Sequence, residues 1–181
     1  MQLSRDHHPY ELLEQMDQLC KRMADAFPTH SQSNDFWKGI GFTVAGHQVV
    51  TPWDEVAEIQ SMPKLSRIPG AKDWVKGVAN VRGTLLPVMD LGAFIGLRTK
   101  AHRQQRLLVL NHDGIVCGLV VDEIIGAMTF EKFEQMEEEP IMNENIMPFI
   151  HGGFSKQDME WPVFSLHAVA ENPDFRKVAR N

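Results

Sequence analysis

Residues 77–91 of the sequence are GVANVRGTLLPVMDL, and this stretch decides the fold. Two apolar runs, Gly77–Val81 and Thr84–Val88, flank Arg82-Gly83, which is the pattern of a β-hairpin with a two-residue turn. Pro87 in the returning strand is typical of a sheet edge or a β-bulge, because proline cannot donate to a ladder. Arg82 at the turn has two interpretations: its guanidinium braces carbonyls at the end of a barrel, or it is presented to a partner.

Short strands of the same kind recur on both sides of this hairpin, from residue 37 to residue 166. Asp90 is expected to cap a short helix that Gly96 ends, and Ser165 to cap a C-terminal helix that is interrupted at Pro173. Many short strands with few helices between them predict small antiparallel barrels or a sandwich. The further predicted hairpins cover residues 40–50, 107–121 and 149–164, and a separate strand covers Glu55–Ile59.

The sequence repeats itself once. The first hairpin is followed by Asp54-Glu55-Val56 and a later one by Asp122-Glu123-Ile124, an offset of 68 residues. PVMDL at residues 87–91 matches PVFSL at residues 162–166, an offset of 75. This pattern predicts two similar barrels of roughly 60 residues each, which are marginal alone and should share an interface. Chance similarity between generic hairpins is the alternative.

Composition and charge exclude several classes of protein. The 181 residues are 43% hydrophobic and 23% charged, values typical of a globular chain. The formal net charge of −6 opposes binding to nucleic-acid backbones, and neither a signal peptide nor a membrane-spanning segment is expected. Residues 9–27 are predicted to form an amphipathic helix whose apolar stripe packs on its own body or on a partner.

Residues with reactive side chains form no catalytic pattern. The sequence lacks a phosphate-binding glycine loop, a dinucleotide fingerprint and a nucleophile elbow. Asp90 and Asp122 each follow an apolar strand, where capping or turn roles explain them. We therefore expect no catalytic residue, no cofactor and no metal site. The cysteines and histidines considered for such roles and set aside are Cys20, Cys117, His7, His8, His112 and His151.

Two stretches carry a family resemblance. WVKGVANVRG at residues 74–83, followed by LPVMDL at residues 86–91, resembles the signature of CheW-like adaptor domains. GLVVDEI at residues 118–124 resembles their second signature. The resemblance covers residues 37–166, and the flanking sequences are similar to those of the CheW-type adaptors of type IV pilus chemosensory systems. The chain departs from the common pattern at Ser165, where many members have Asp.

The resemblance implies a mainly β fold of two intertwined five-stranded SH3-like β-barrels, with an N-terminal amphipathic helix and a short C-terminal helix. The implied organisation is an N-terminal helix and linker over residues 1–35, a CheW-like domain over residues 36–170 and a tail over residues 171–181. The family has no catalytic activity and needs no cofactor.

The resemblance also implies partners. Such adaptors couple the cytoplasmic tip of a methyl-accepting chemoreceptor to the regulatory domain of a CheA-type histidine kinase, in the cytoplasm at membrane-associated receptor arrays. They neither insert into the membrane nor bind nucleic acid. Control of twitching motility is expected, and the alternative is a coupler of flagellar chemotaxis. By matching positions, the receptor-facing residues are Val56, Glu58, Gly77 and Arg82.

Two charged segments have a second interpretation. The basic loop over residues 98–106 and the acidic segment over residues 131–140 could set the orientation of pairing with a partner, or they could simply be solvated loops.

Overall fold

The computed structural model describes residues 36–97 and 103–179. These residues belong to the second of two compact units, which covers residues 36–181. The predicted helix over residues 9–27 and most of the predicted basic loop therefore lie outside the described residues. No described helix is long and apolar enough to cross a membrane.

Five strands form the first sheet, in the order β8-β1-β2-β10-β9. An isolated bridge between Gln135, which follows β8, and Phe154 of β9 joins the two edges, so this sheet closes into barrel 1. The strands of barrel 1 are β1 (Phe36–Val44), β2 (His47–Pro52), β8 (Glu123–Glu131), β9 (Ile150–Lys156) and β10 (Met159–Phe164).

The second sheet has the order β3-β6-β7-β5-β4. A bridge between Ser66, which follows β3, and Val78 of β4 closes it into barrel 2. Barrel 2 is contiguous in sequence and is inserted between β2 and β8 of barrel 1. Its strands are β3 (Glu58–Ser61), β4 (Val75–Val81), β5 (Thr84–Asp90), β6 (Arg106–His112) and β7 (Ile115–Val121).

The two barrels are repeats of one another. Each contains one parallel pair of strands: Val163 pairs with Val50 in barrel 1, and Val88 pairs with Gly118 in barrel 2. These partners differ by 75 and 68 positions, the two offsets found in the sequence. The prediction of two similar five-stranded barrels is confirmed, and the offsets identify equivalent residues in the two halves.

Each barrel ends in a short capped helix. The Asp90 carboxylate accepts a hydrogen bond from the Ala93 N–H at 3.0 Å, and the Ser165 hydroxyl accepts one from the Ala168 N–H at 3.1 Å. Both predicted caps are confirmed, and each satisfies an N–H that the first helical turn leaves unpaired. The helices in the described residues are α1 (Leu91–Phe94), α2 (Leu166–Glu171) and α3 (Pro173–Arg176).

The apolar core has three parts: the interior of each barrel and a shared core between them. Along β6, Leu107 and Val109 point into barrel 2, whereas Leu108 and Leu110 point into the shared core. The apolar run in β6 is continuous because both faces of the strand are buried. The shared core also contains Phe175 of α3, whose ring stacks on the Trp74 indole at 5.4 Å.

Two strand predictions are wrong. Glu55, the first residue of the predicted strand Glu55–Ile59, belongs to a 3₁₀ turn over residues 53–55, and β3 begins only at Glu58. Strand β8 was not predicted at all. It alternates exposed and half-buried residues, but Gly126 interrupts the half-buried side and Ala127 is an apolar residue on the exposed side.

Of the two positions expected for Pro87, a sheet edge or a β-bulge, the edge is wrong, because β5 lies between β7 and β4. The β4–β5 ladder does have a register shift between Val75 and Gly77, whose partners Met89 and Val88 follow Pro87. Val78, the residue opposite Pro87, exchanges both of its backbone hydrogen bonds with Ser66 instead. The parallel ladder to β7 begins one residue later, at Val88. Pro87 therefore occupies an interior strand at a position where no N–H is required.

Candidate functional site

Arg82 and Glu58 form an ion pair at the rim of barrel 2. The Nη2 atom of Arg82 lies 2.6 Å from Oε1 of Glu58, although the two residues are 24 positions apart in sequence. The Arg82 side chain is 79% exposed and that of Glu58 33% exposed. Water screens such a pair, so it adds little to the stability of the fold. The structure thus brings together two of the four predicted receptor-facing residues on an accessible surface.

The backbone of the β4–β5 turn holds Arg82 in place. Arg82 and Gly83 both have positive φ angles, 51° and 85°, as a tight hairpin turn requires. The Gly83 N–H donates to the side-chain oxygen of Asn80 at 2.9 Å. Asn80 thus pairs with the backbone N–H of the turn. The Arg82 guanidinium takes no part in that pairing and contacts Glu58 on β3.

Arg106 illustrates the other interpretation that the sequence left open for Arg82. Its Nη1 donates to the carbonyl oxygens of Arg103, Gln104 and Gln105 at 3.4, 3.1 and 3.0 Å. Arg106 therefore braces the loop that leads into β6. The observed Arg82 contact is instead with a carboxylate on another strand.

Val56 and Gly77 are less accessible than the ion pair. Val56 is half-buried and packs against the shared core. Gly77 is buried, has φ 141° and sits at a bulge in β4. A Cβ atom there would lie 2.2 Å from the Ser66 carbonyl oxygen. Gly77 thus acts through its backbone, by letting residues 66–67 cross close above β4.

The repeat shows that the fold does not require the ion pair. Gln157 in the β9–β10 turn is equivalent to Arg82 and also has a positive φ, 53°. The residue equivalent to Glu58 is Gly126 on β8. Barrel 1 closes the same hairpin with neither charge, so the Arg82–Glu58 pair is an addition specific to barrel 2.

Comparison with known proteins agrees with this architecture. The model of the CheW-like domain family matches residues 38–173. The chain is 42% identical to the protein PilI of Pseudomonas aeruginosa over 172 residues, which cover 94% of this chain and 96% of PilI. The chain belongs to the CheW-like family. This is a family of scaffolding adaptors of chemotaxis-type signalling, and the CheW-like resemblance of the sequence is confirmed.

Other relatives are more distant from this CheW-like chain. The chemotaxis protein CheW of Helicobacter pylori is 25% identical over 122 residues, which cover 67% of this chain and 72% of that protein. The CheW of Bacillus subtilis is 30% identical over 98 residues, 54% of this chain and 63% of that protein. The crystal structure of the scaffolding protein TtCheW from Thermoanaerobacter tengcongensis superposes with a TM-score of 0.66 at 22% identity, covering 76% of this chain and 94% of TtCheW. It shares the fold.

Ser165, where the CheW-like chain departs from the common pattern, contacts a buried carboxylate. Its hydroxyl donates to Oε1 of Glu55 at 3.0 Å. The Oε2 atom of Glu55 accepts from the backbone N–H groups of Leu166 and His167. Glu55 therefore ties the segment after β2 to the start of α2, and a hydroxyl at position 165 can donate to it where an ionised Asp could not.

The CheW-like chain has a cluster of histidines and carboxylates that sequence spacing does not reveal, and it includes His112, for which no metal or catalytic role was expected. The His112 ring stacks on that of His167, with centroids 3.8 Å apart. Nε2 of His112 lies 2.9 Å from the Glu171 carboxylate. The hydrogen bond to His112 is the largest of several effects that lower the pKa of Glu171, and the charges of His167 and Arg176 contribute. The sequence contains one sign of this cluster: His167 and Glu171 are four residues apart, and in the predicted C-terminal helix that spacing places them on the same face.

Proposed function

We propose that this protein is a non-enzymatic adaptor that couples a methyl-accepting chemoreceptor to a CheA-type histidine kinase, and that it acts in a type IV pilus system controlling twitching motility. The observation that carries the proposal is the 42% identity to PilI over 94% of the chain. The identity to CheW proteins is lower and extends over less of the chain. This difference favours the pilus system over the flagellar alternative. The place of action is the cytoplasm, at membrane-associated receptor arrays.

The architecture suits an adaptor. Two closed barrels joined by a shared core make a rigid body that can offer separate faces to two partners. Asp90 and Asp122 are the aspartates that a catalytic interpretation would use, and both accept structural hydrogen bonds from backbone N–H groups. Asp90 caps α1, and Asp122 accepts a hydrogen bond from the Gly46 N–H at 3.1 Å.

The proposed receptor-facing surface is the rim of barrel 2 around Arg82 and Glu58. Arg82 presents planar donors that suit the carboxylates or helix-end carbonyls of a receptor tip. Glu58 fixes the direction of the guanidinium, and the half-buried Val56, two positions before Glu58, adds the apolar surface that the shared core leaves exposed. Gly77 belongs to the surface indirectly, because its close packing positions the segment at residues 66–67.

The test is a pair of binding titrations on the full-length protein. One uses the cytoplasmic tip of the receptor from the same signalling system, and the other uses the regulatory domain of its kinase. Arg82→Ala should weaken receptor binding at least fivefold, or about 1 kcal/mol, through loss of charge-assisted hydrogen bonds. It should change kinase binding less.

Gln157→Ala is the matched control, because residue 157 has the equivalent turn position in barrel 1. This control should leave both titrations unchanged. Equal loss of receptor binding in the two variants, or none in either, would contradict the surface assignment. Failure of the wild-type protein to bind either partner would contradict the adaptor function itself. Restoration of twitching, but not of flagellar chemotaxis, in cells lacking the protein would distinguish the two pathways.

A further inference from the structure

The β6–β7 turn and the end of α2 bring three potential metal ligands together. His112 ends β6, Asp113 follows it in the turn, and Glu171 is the last residue of α2. Nε2 of His112 lies 2.9 Å from Oε1 of Glu171 and 3.7 Å from Oδ2 of Asp113. All three ligand atoms lie within 4.8 Å of one another. This junction is remote in sequence from the Arg82 turn, and metal binding there would not depend on the adaptor function.

We propose that His112, Asp113 and Glu171 form a binding site for a divalent transition-metal ion, with Zn²⁺ as the ion that fits best. Tetrahedral Zn²⁺ binds nitrogen and oxygen at about 2.0–2.2 Å, which places neighbouring ligand atoms about 3.4 Å apart. The observed separations of 2.9 and 3.7 Å lie on either side of that value. These two separations from Nε2 of His112 therefore need to change by only about half an ångström or less, and the two carboxylates lie within 4.8 Å of each other. Water would complete the coordination.

The ligand set and its surroundings favour this class of ion. An imidazole with two carboxylates suits Zn²⁺ and its neighbours better than Mg²⁺ or Ca²⁺, which prefer oxygen ligands alone. The ring of His167 lies nearly parallel to that of His112, at an interplanar angle of 15°, and so restrains its orientation. The nearby positive charge of Arg176 opposes a cation in part.

The internal repeat indicates that packing alone does not require these donors. In the other half of the molecule, α1 approaches the β1–β2 turn in the same way, and a Cβ atom on Gly92 would lie 3.7 Å from that of Ala45. The positions that match the ligands His112, Asp113 and Glu171 are Val44, Ala45 and Gly96. At this junction the three matching positions have no metal-ligating side chain, whereas their counterparts are an imidazole and two carboxylates.

The consequence of metal binding would be mechanical. The ion would link the β6–β7 hairpin of barrel 2 to the end of α2, whose start is already tied to Glu55.

The test is calorimetric titration of chelator-treated, full-length protein with Zn²⁺, combined with thermal unfolding. We expect one equivalent to bind, and the melting temperature to rise by several degrees at a hundredfold excess over Kd. His112→Ala and Glu171→Gln should each weaken this binding at least tenfold. Glu171→Gln keeps the size and hydrogen-bonding capacity of the side chain, so it decides the matter if His112→Ala fails to fold.

Two controls separate this site from other histidines. His151→Ala removes an exposed histidine outside the cluster, and a His7→Ala/His8→Ala double variant removes the adjacent pair near the N-terminus. Both should bind Zn²⁺ as the wild type does. The proposal is overturned if the wild type binds no Zn²⁺, if Glu171→Gln binds it with unchanged affinity, or if the N-terminal double variant loses the binding.

Discussion

Arg82 and Gln157 occupy equivalent positions in the turns of the two barrels, and both have a left-handed backbone with φ near 50°. The Glu58 carboxylate contacts Arg82, whereas the residue equivalent to Glu58 in barrel 1 is Gly126. Residues that the fold needs should recur in both halves, as the helix caps Asp90 and Ser165 do. A charged pair found in one half alone is a candidate for binding.

The Arg82–Glu58 pair can be tested by exchanging its charges. The Arg82→Glu/Glu58→Arg double variant should fold with near wild-type stability, because an exposed pair contributes less than about 1 kcal/mol. If the receptor binds the positive charge at position 82 directly, the double variant should not recover receptor binding. Recovery of full affinity in the double variant would show that only the pair as a unit matters.

The two arginines with different contacts should behave differently in thermal unfolding. Arg82→Ala should keep its melting temperature within a few degrees, since its guanidinium is exposed. Arg106→Ala removes a donor shared by three carbonyls, so it should destabilise the protein by about 1–2 kcal/mol. A reversed order of the two melting temperatures would contradict these roles.

Glu55 should be important for stability. Glu55→Ala leaves the Leu166 and His167 N–H groups and the Ser165 hydroxyl without their acceptor, at a cost on the order of 3 kcal/mol. Glu55→Gln keeps one oxygen acceptor and should cost less. Denaturant unfolding of both variants provides the measurement. Equal stability of Glu55→Ala and the wild type would refute the anchoring role.

Gly77→Ala tests whether this residue acts through packing. The added methyl group would collide with the Ser66 carbonyl at a positive φ, so we expect a loss of at least about 2 kcal/mol. Gly114→Ala is the matched control, because φ is +77° there but the space is open. That control should cost about 1 kcal/mol from backbone strain alone. Similar losses in the two variants would remove the steric argument.

Cys117 should react slowly with thiol reagents in the folded protein. Its side chain is buried, and burial raises the pKa of the thiol to about 12. Labelling of a Cys20→Ser variant should be slow at pH 8 and become fast in denaturant. Because the unfolded thiol ionises first as the pH rises, this group should also lower stability between about pH 9 and pH 12. Fast labelling under native conditions would contradict the predicted burial.

The sequence predicts local features of the fold well. The Arg82-Gly83 turn and both helix caps are formed by residues within a few positions of one another, so the sequence around each of them is enough to predict it. Strand β8 was missed because its residues alternate too weakly to mark an apolar face. Its place is fixed instead by pairing with β1, along a register that runs from Phe36–Glu131 to Thr43–Glu123.

Features that depend on tertiary contacts could not be predicted from spacing. His112 and Glu171 are 59 positions apart, and only the packing of α2 on the end of β6 brings them together. The Arg82–Glu58 contact likewise requires barrel 2 to close. For the candidate site, the family resemblance named the residues, and the structure supplied the pairing and exposure.

The insertion of barrel 2 into barrel 1 has a consequence for the order of synthesis. Every strand of barrel 2 has been made once Val121 leaves the ribosome, whereas β2 of barrel 1 pairs with Val163, 113 positions after its partner Val50. The β1–β2 hairpin is therefore synthesised before its pairing strands β8 and β10, and both of its edges stay unpaired while barrel 2 is translated. Long-range pairing of this kind slows folding and leaves strand edges open to wrong partners. A nascent chain stalled after Val121 would have a complete set of strands for one barrel and only two strands of the other.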